Sequence, residues 1–147
     1  MAAGPWLVYN DALANAWKKR LDLNGGDTIK IALVTSASNA INKALVGATY
    51  SALTNEVANA NGYTTGGVAA GSPTITGGGA TATITWDTAD VSWTASGGNI
   101  VFRAAVAYDV TTGYLIAYCL GDSTPADVTV VNGTTETISI TNIFSEA

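Results

Sequence analysis

The stretch from Ile100 to Leu120 leaves this chain the least freedom in what it can fold into. Ile100, Phe102, Ala104, Val106 and Tyr108 alternate with Val101, Arg103, Ala105 and Ala107, and that period of two sends successive side chains to opposite faces of a sheet. Asp109 to Gly113 supplies turn residues, and Tyr114 to Leu120 returns as a second apolar strand. Both faces of this hairpin are largely apolar, so it needs cover on both sides.

Other segments repeat the signal. Thr81, Thr83 and Thr85 alternate with Ala82, Ile84 and Trp86, and Val91 to Thr94 follows the turn Asp87 to Asp90. Ile29, Ile31 and Leu33 point one way with Lys30 on the other face. Val128 to Val131 and Thr135 to Thr141 flank Asn132-Gly133, a pair that takes positive φ readily and predicts a tight hairpin. Short strands with frequent turn signals favour an antiparallel β-sandwich or barrel of about seven to nine strands over a parallel α/β sheet.

Two helices are expected beside the sheet. Leu13, Trp17 and Leu21 recur every four residues, which predicts a helix from Asp11 to Asp22 with Asn10 as N-cap and Asn24-Gly25 as stop. Tyr50, Leu53 and Val57 share one stripe of a further short helix between Thr49 and Ala58. Ahead of both, Trp6, Leu7, Val8 and Tyr9 form an apolar arm with no periodic partner, which either packs under the domain or reaches a neighbour as a candidate interface. The chain reads as a single β domain over 1–147, with the arm at 1–9, the helix at 10–23 and mainly β structure over 28–147.

Composition narrows the function classes. Hydrophobic residues make up 48% and charged ones only 12%, against about 25% charged in an average soluble protein, so disorder is not expected. Val57 to Trp86 contains no Asp, Glu, Lys or Arg, yet Gly, Thr and Asn dominate it and Pro73 interrupts it, so it is not read as a membrane span. Met1 to Asn10 lacks the basic and apolar regions of a signal peptide. With no histidine and the single Cys119, Ser-His-Asp and Cys-His catalysis, a disulfide framework within the chain and a cysteine zinc site are excluded. A net charge of −5, with Lys18-Lys19-Arg20 as the one cationic cluster, argues against a nucleic-acid surface. At the end of a helix that cluster complements the helix dipole.

Candidate chemistry is sparse. Asp87 with Asp90, and Asp122 with Asp127, are carboxylate pairs, but both flank turn residues, where acids commonly cap the backbone. Asp87, Asp90 and Asn99 are hard oxygen ligands without the spacing of a calcium loop. Gly77-Gly78-Gly79 lacks the pattern of a phosphate-binding loop. Trp86 and Trp93 fit strand positions and core packing better than a sugar platform. The sequon Asn132-Gly133-Thr134 reads as a turn. No catalytic, cofactor-binding or metal-binding residue is assigned.

The segment Tyr50-Ser-Ala-Leu53-Thr-Asn-Glu56-Val57-Ala-Asn-Ala-Asn61-Gly62-Tyr63-Thr-Thr-Gly66-Gly67 is the most specific in the chain. It resembles the Tyr-x-x-Leu-x-x-Glu-Val-x-x-x-Asn-Gly-Tyr-x-x-Gly-Gly signature of small structural proteins encoded in tailed-phage genomes. The likeness continues in Trp93-Thr-Ala-Ser-Gly-Gly98, in Arg103 to Asp109 and in Thr111 to Tyr118, covering most of 48–120. Asn61, Gly62, Tyr63, Gly66 and Gly67 are read as a glycine-dependent structural turn. The resemblance implies an all-β, non-enzymatic virion component, assembled in the host cytoplasm. Within that class the reading is a capsid decoration or cement protein that binds the major capsid protein or other virion proteins and associates with itself, as a trimer at threefold positions. No nucleic acid, membrane or cofactor is implied. A tail or neck component and a carbohydrate-binding module for the host surface are the alternatives. The C-terminal part, with Gly121-Asp122-Ser123-Thr124-Pro125 and the long stretch from Val128 to Ile143, departs from the commoner pattern, which often closes on a shorter hairpin.

Overall fold

The computed structural model describes residues 4–24, 26–71, 73–77, 84–140 and 143–146. In chain order the elements are β1 (Leu7–Val8), α1 (Asn10–Trp17), β2 (Ile29–Val34), a 3-10 turn at Tyr50–Ala52, β3 (Val68–Ala69), β4 (Thr74–Gly77), β5 (Ile84–Asp87), β6 (Val91–Thr94), β7 (Ile100–Phe102), β8 (Ala104–Asp109), β9 (Leu115–Leu120), β10 (Val128–Val130), β11 (Thr135–Ile138) and β12 (Phe144–Glu146). The fold is mainly β and antiparallel, sandwich-like, and the strands among the described residues form no closed barrel. Twelve strands among the described residues exceed the expected number because several are two or three residues long and because a kink divides each strand of one ribbon. Residues 81–83 of the Thr-rich strand and Gly78-Gly79 lie outside the described residues.

A five-stranded sheet in the order β1-β9-β8-β2-β3 carries the core. The β8–β9 hairpin forms as the alternation predicts, and every residue of Ala104–Asp109 is buried. Small and large side chains face each other across the β2–β8 pair: Ile31 lies opposite Ala107 and Leu33 opposite Ala105. That pairing sets a large side chain against a small one at each position. Asp109, fully buried, holds the hairpin turn by accepting from the Thr111 amide at 2.7 Å, the Thr112 amide at 3.0 Å and the Thr112 hydroxyl. A carboxylate that accepts this many local donors closes the turn and satisfies its own charge.

Asn132-Gly133 does not make the expected hairpin. β10 pairs with β7, Val130 facing Ile100, and β11 pairs with β6, Thr135 facing Thr94. Together these are two halves of one long antiparallel ribbon, 91–102 against 128–138, bent where 95–99 faces 131–134. The reason lies in the turn. The Thr134 amide donates to the Val131 carbonyl at 2.9 Å, but only Gly133 takes a positive φ (87°), whereas a tight type I′ hairpin needs it at both central residues. The Gly133 amide then donates to the Ala95 carbonyl on the partner strand, so the chain turns a corner and continues.

The N-terminal helix is shorter than the spacing suggested and uses another face. It ends at Trp17, Tyr9 takes the N-cap position in place of Asn10, and no side chain caps it. The Arg20 amide donates to the Asn15 carbonyl and the Lys19 amide to the Ala16 carbonyl, a Schellman closure with Lys19 at φ 56° where glycine is usual. Ala12 and Asn15 face inward, Leu21 is buried only after the chain has left the helix, and Trp17 is 87% exposed. The four-residue recurrence of Leu13, Trp17 and Leu21 is therefore not one helical stripe. Lys18, Lys19 and Arg20 lie beyond the last helical turn.

Trp6 to Tyr9 is not a separate arm. β1 is an edge strand of the main sheet, with Leu7 opposite Tyr118 and Val8 opposite Ala117. The Trp6 indole donates to the Ser139 carbonyl at 3.1 Å, and Tyr9, fully buried, donates its hydroxyl to the Ala40 carbonyl at 2.6 Å. The segment thus packs within the domain and leaves Leu7 partly exposed at the sheet edge.

Candidate functional site

The signature segment folds around one carboxylate. Instead of a helix from Thr49 to Ala58 there is a single 3-10 turn, after which Leu53 is extended, Asn55 takes φ 55°, and Glu56 bridges Val34 of β2. The next amide, of Val57, donates to the Leu33 carbonyl at 2.9 Å, so this stretch lies along β2 as an added strand-like segment. The Glu56 carboxylate accepts from the Tyr50 hydroxyl at 2.7 Å, the Tyr63 hydroxyl at 2.6 Å and the Gly66 amide at 2.7 Å. Tyr63 also accepts from the Leu33 amide at 3.0 Å, which ties the carboxylate to the main sheet. Tyr108 donates to the Gly66 carbonyl at 2.8 Å and stacks on Tyr50 with ring centres 4.2 Å apart. Burial foremost, and Glu56 next to them, push the Tyr50 and Tyr63 hydroxyls well above the ordinary tyrosine range.

Glycine positions close this cluster. Ala60 to Tyr63 forms a turn with Asn61 at φ 57° and Gly62 at φ 88°, and Thr64 to Gly67 follows with Gly66 at φ 92°. A Cβ on Gly67 would lie 1.8 Å from the Ile31 carbonyl oxygen, and one on Gly62 would lie 2.3 Å from that of Thr94. Both contacts are with backbone, which cannot swing aside. The segment is thus a folding element in which each signature residue has a geometric task. Sequence reasoning placed Tyr50, Leu53 and Val57 on a stripe and missed Glu56 as the hub. Its signal was its place as the last charged residue before the uncharged run that begins at Val57.

The other candidate groups are engaged in loops. Asp87 accepts from the Thr88 amide, Asp90 from the Ile140 amide, and Asp122 from the Thr124 amide. Asp127 pairs with Arg103 at 2.8 Å. Asn99 accepts from the Asn132 amide and Asn132 from the Gly97 amide, which staples the bend of the ribbon. Among the described residues no three His, Cys, Asp or Glu side chains gather as a metal site, and no helix is long and apolar enough to cross a membrane. Cys119 is fully buried, and burial pushes its thiol up to about 12. Trp86 and Trp93 are core residues, Trp86 donating its indole N–H to the Leu23 carbonyl at 2.8 Å.

Exposed large apolar side chains are scattered, with Val46, Val131, Val110 and Val101 among them, and Trp17 at the end of α1 is the bulkiest. Trp17 stands free of the domain, and Lys18, Lys19 and Arg20 beside it are all exposed. On the same helix Leu13 and Ala16 line a small apolar cavity of about 40 Å³, together with Val8, Leu23, Trp86 and Ile116. Compared with protein-family models, curated proteins and solved structures, the chain matches none. No residue here inherits a role from a relative, and the assignment rests on geometry and on the signature.

Proposed function

We propose that this chain is a non-enzymatic structural protein of a tailed-phage virion, a decoration or cement protein that binds the outer head shell in many copies. The Tyr50 to Gly67 signature is the observation that carries the reading, because it resembles the signature of that protein class over residues that here build one hydrogen-bonded unit. The use of the acids supports the same view: Asp87, Asp90, Asp109, Asp122 and Asp127 hold turns and loops together. Such a protein acts by occupying its place, and what it contributes is a stiff domain plus apolar contact area.

Quantitative mass spectrometry and imaging of intact particles test the reading. The expected result is density for this chain repeated over the head lattice, with copies in proportion to the shell subunits. Copies amounting to one ring at the neck or tail would replace the decoration role with a tail or neck role. Purified particles without the chain would overturn the virion assignment. For the host-glycan alternative, Trp86 and Trp93 are buried and present no ring face to a sugar, and a blank glycan array would remove it.

A further inference from the structure

Of the six basic residues in the chain, three are locked into the fold and three are not. Lys30 lies inside β2, paired with Tyr108 of β8 on one side and Ala69 of β3 on the other. Arg103 stands between β7 and β8, its amide donating to the Val34 carbonyl, its carbonyl accepting from the Gly121 amide and its side chain paired with Asp127. Lys43 is exposed, but its carbonyl accepts from the Asn10 amide, and its loop is drawn to α1 by Asp11, which accepts from the Gly47 amide at 2.7 Å. Lys18, Lys19 and Arg20 are placed differently. Their side chains are exposed in series just past α1, and among the described residues no helix or strand intervenes before Ile29. Their amides close the helix, yet nothing among the described residues donates a hydrogen bond to their carbonyls. Lys19 holds φ 56°, a conformation that strains a residue with a Cβ, so opening the closure relieves strain.

We propose that Lys18-Lys19-Arg20 is a processing site for an endoprotease of trypsin-like specificity, whose cut at the Lys19–Arg20 bond turns the chain into a two-piece domain that stays assembled. Such a protease recognises Lys or Arg through a carboxylate in its specificity pocket. In a chain of net charge −5, this triplet is the one run of positive charge for that pocket to find. The protease also needs extended backbone around the bond, and the segment after Trp17 supplies it without breaking a strand. In the cut, the C–N bond between Lys19 and Arg20 breaks, and water gives its hydroxyl to the Lys19 carbonyl carbon and a proton to the Arg20 nitrogen. The pieces stay together because residues ahead of the bond are held by contacts that do not pass through it. β1 pairs with β9, the Gly4 amide donates to the Leu120 carbonyl at 2.9 Å, and Tyr9 is fully buried with its hydroxyl on the Ala40 carbonyl. Beyond the bond, Leu21 is buried, and Asp22 and Asp27 close their own turn, the Asp22 amide donating to Asp27 at 2.6 Å. Only the closure of α1 is given up. The inference stands on this segment and not on the virion reading.

Limited digestion of the full chain with trypsin under native conditions decides it, read by intact mass and size-exclusion chromatography. The first cut is expected between Lys18 and Leu21 while Lys30, Lys43 and Arg103 are still uncut, and the two pieces should elute together with an unchanged circular dichroism spectrum. Because the piece carrying β1 and α1 is then a separate molecule, the unfolding midpoint of the nicked protein should fall on dilution, unlike that of the intact chain. A variant combining Lys18→Gln, Lys19→Gln and Arg20→Gln should keep the fold and lose the cut. A first cut at Lys43 or elsewhere, no cut until the whole chain unfolds, separation of the pieces, a midpoint indifferent to dilution, or a triple variant digested as fast as the wild type would each overturn the proposal. None of those outcomes touches the particle experiment, because a decorating protein can be whole or nicked.

Discussion

The Glu56 cluster and the end of α1 treat polar groups in opposite ways. Around Glu56, two hydroxyls and an amide converge on one carboxylate, and a third tyrosine locks the loop from outside. At Lys18 to Arg20, three cations and the Trp17 indole are exposed, with no ion-pair partner among the described residues. The first arrangement is over-determined, since each group fixes the position of another, and half-satisfying it is costly. The second is held only by a helix closure. The difference teaches that the most distinctive sequence in this protein builds its frame, while its most exposed aromatic side chain sits among residues that look ordinary.

Substitutions should separate the two regions by size of effect. Gly67→Val drives a Cβ into the Ile31 carbonyl at a positive φ, and Gly62→Val meets the Thr94 carbonyl. Loss of about 4 kcal/mol or failure to fold is expected for Gly67→Val, with Gly62→Val next, measured by denaturant unfolding. A wild-type midpoint in the Gly67 variant would mean that the loop is not pinned to β2. Removing residues 1–9 deletes β1 and the buried Tyr9, so the melting temperature should fall sharply; an unchanged one would return this segment to the status of a free arm.

Glu56→Ala comes below these. It strands the hydroxyls of Tyr50 and Tyr63 and the amide of Gly66, for an expected loss of about 2–4 kcal/mol, with Glu56→Gln milder because it keeps one acceptor oxygen. Equal effects of the two would show that the carboxylate is not the hub. The pH dependence follows from the same contacts. In the folded state the Tyr63 hydroxyl titrates above its ordinary value of 10.0, raised chiefly by burial, so the unfolded chain loses this proton first. The stability it contributes is complete below pH 10.0 and drains away as the pH climbs toward the folded value. Thermal melts across the alkaline range should show a decline that is shallower in Tyr63→Phe. An identical slope would remove Tyr63 from the account. Smallest of all, Trp17→Ala should change monomer stability by no more than about 0.5 kcal/mol. A larger loss would place the indole in the core after all.

Legibility from sequence followed how local the cause was. The β8–β9 hairpin and β6 could be read because alternation and turn chemistry are both local. The partner of β10 could not, because the choice between a hairpin and a corner depended on the φ of Asn132, set by Asn99 and Gly97 across the ribbon. Helix spacing misled twice for the same reason. Leu13, Trp17 and Leu21 kept a helical interval across a chain that had already turned at Lys19, and Tyr50, Leu53 and Val57 kept one across a loop wound about Glu56. Glycine needs at 62 and 66–67 were visible, while the backbone they admit was not.

The bent ribbon sets the order in which this molecule can be made. Thr94 and Thr135, whose hydroxyls meet at 2.7 Å, stand 41 positions apart in the chain. During synthesis β6 and β7 therefore leave the ribosome well before either half of their partner exists, and their edges stay open over an interval in which the local β8–β9 hairpin can already close. In a cell producing many copies at once, that interval is when neighbouring nascent chains compete for the same edges, and yield should depend on growth temperature and expression rate more than on the stability of the finished fold.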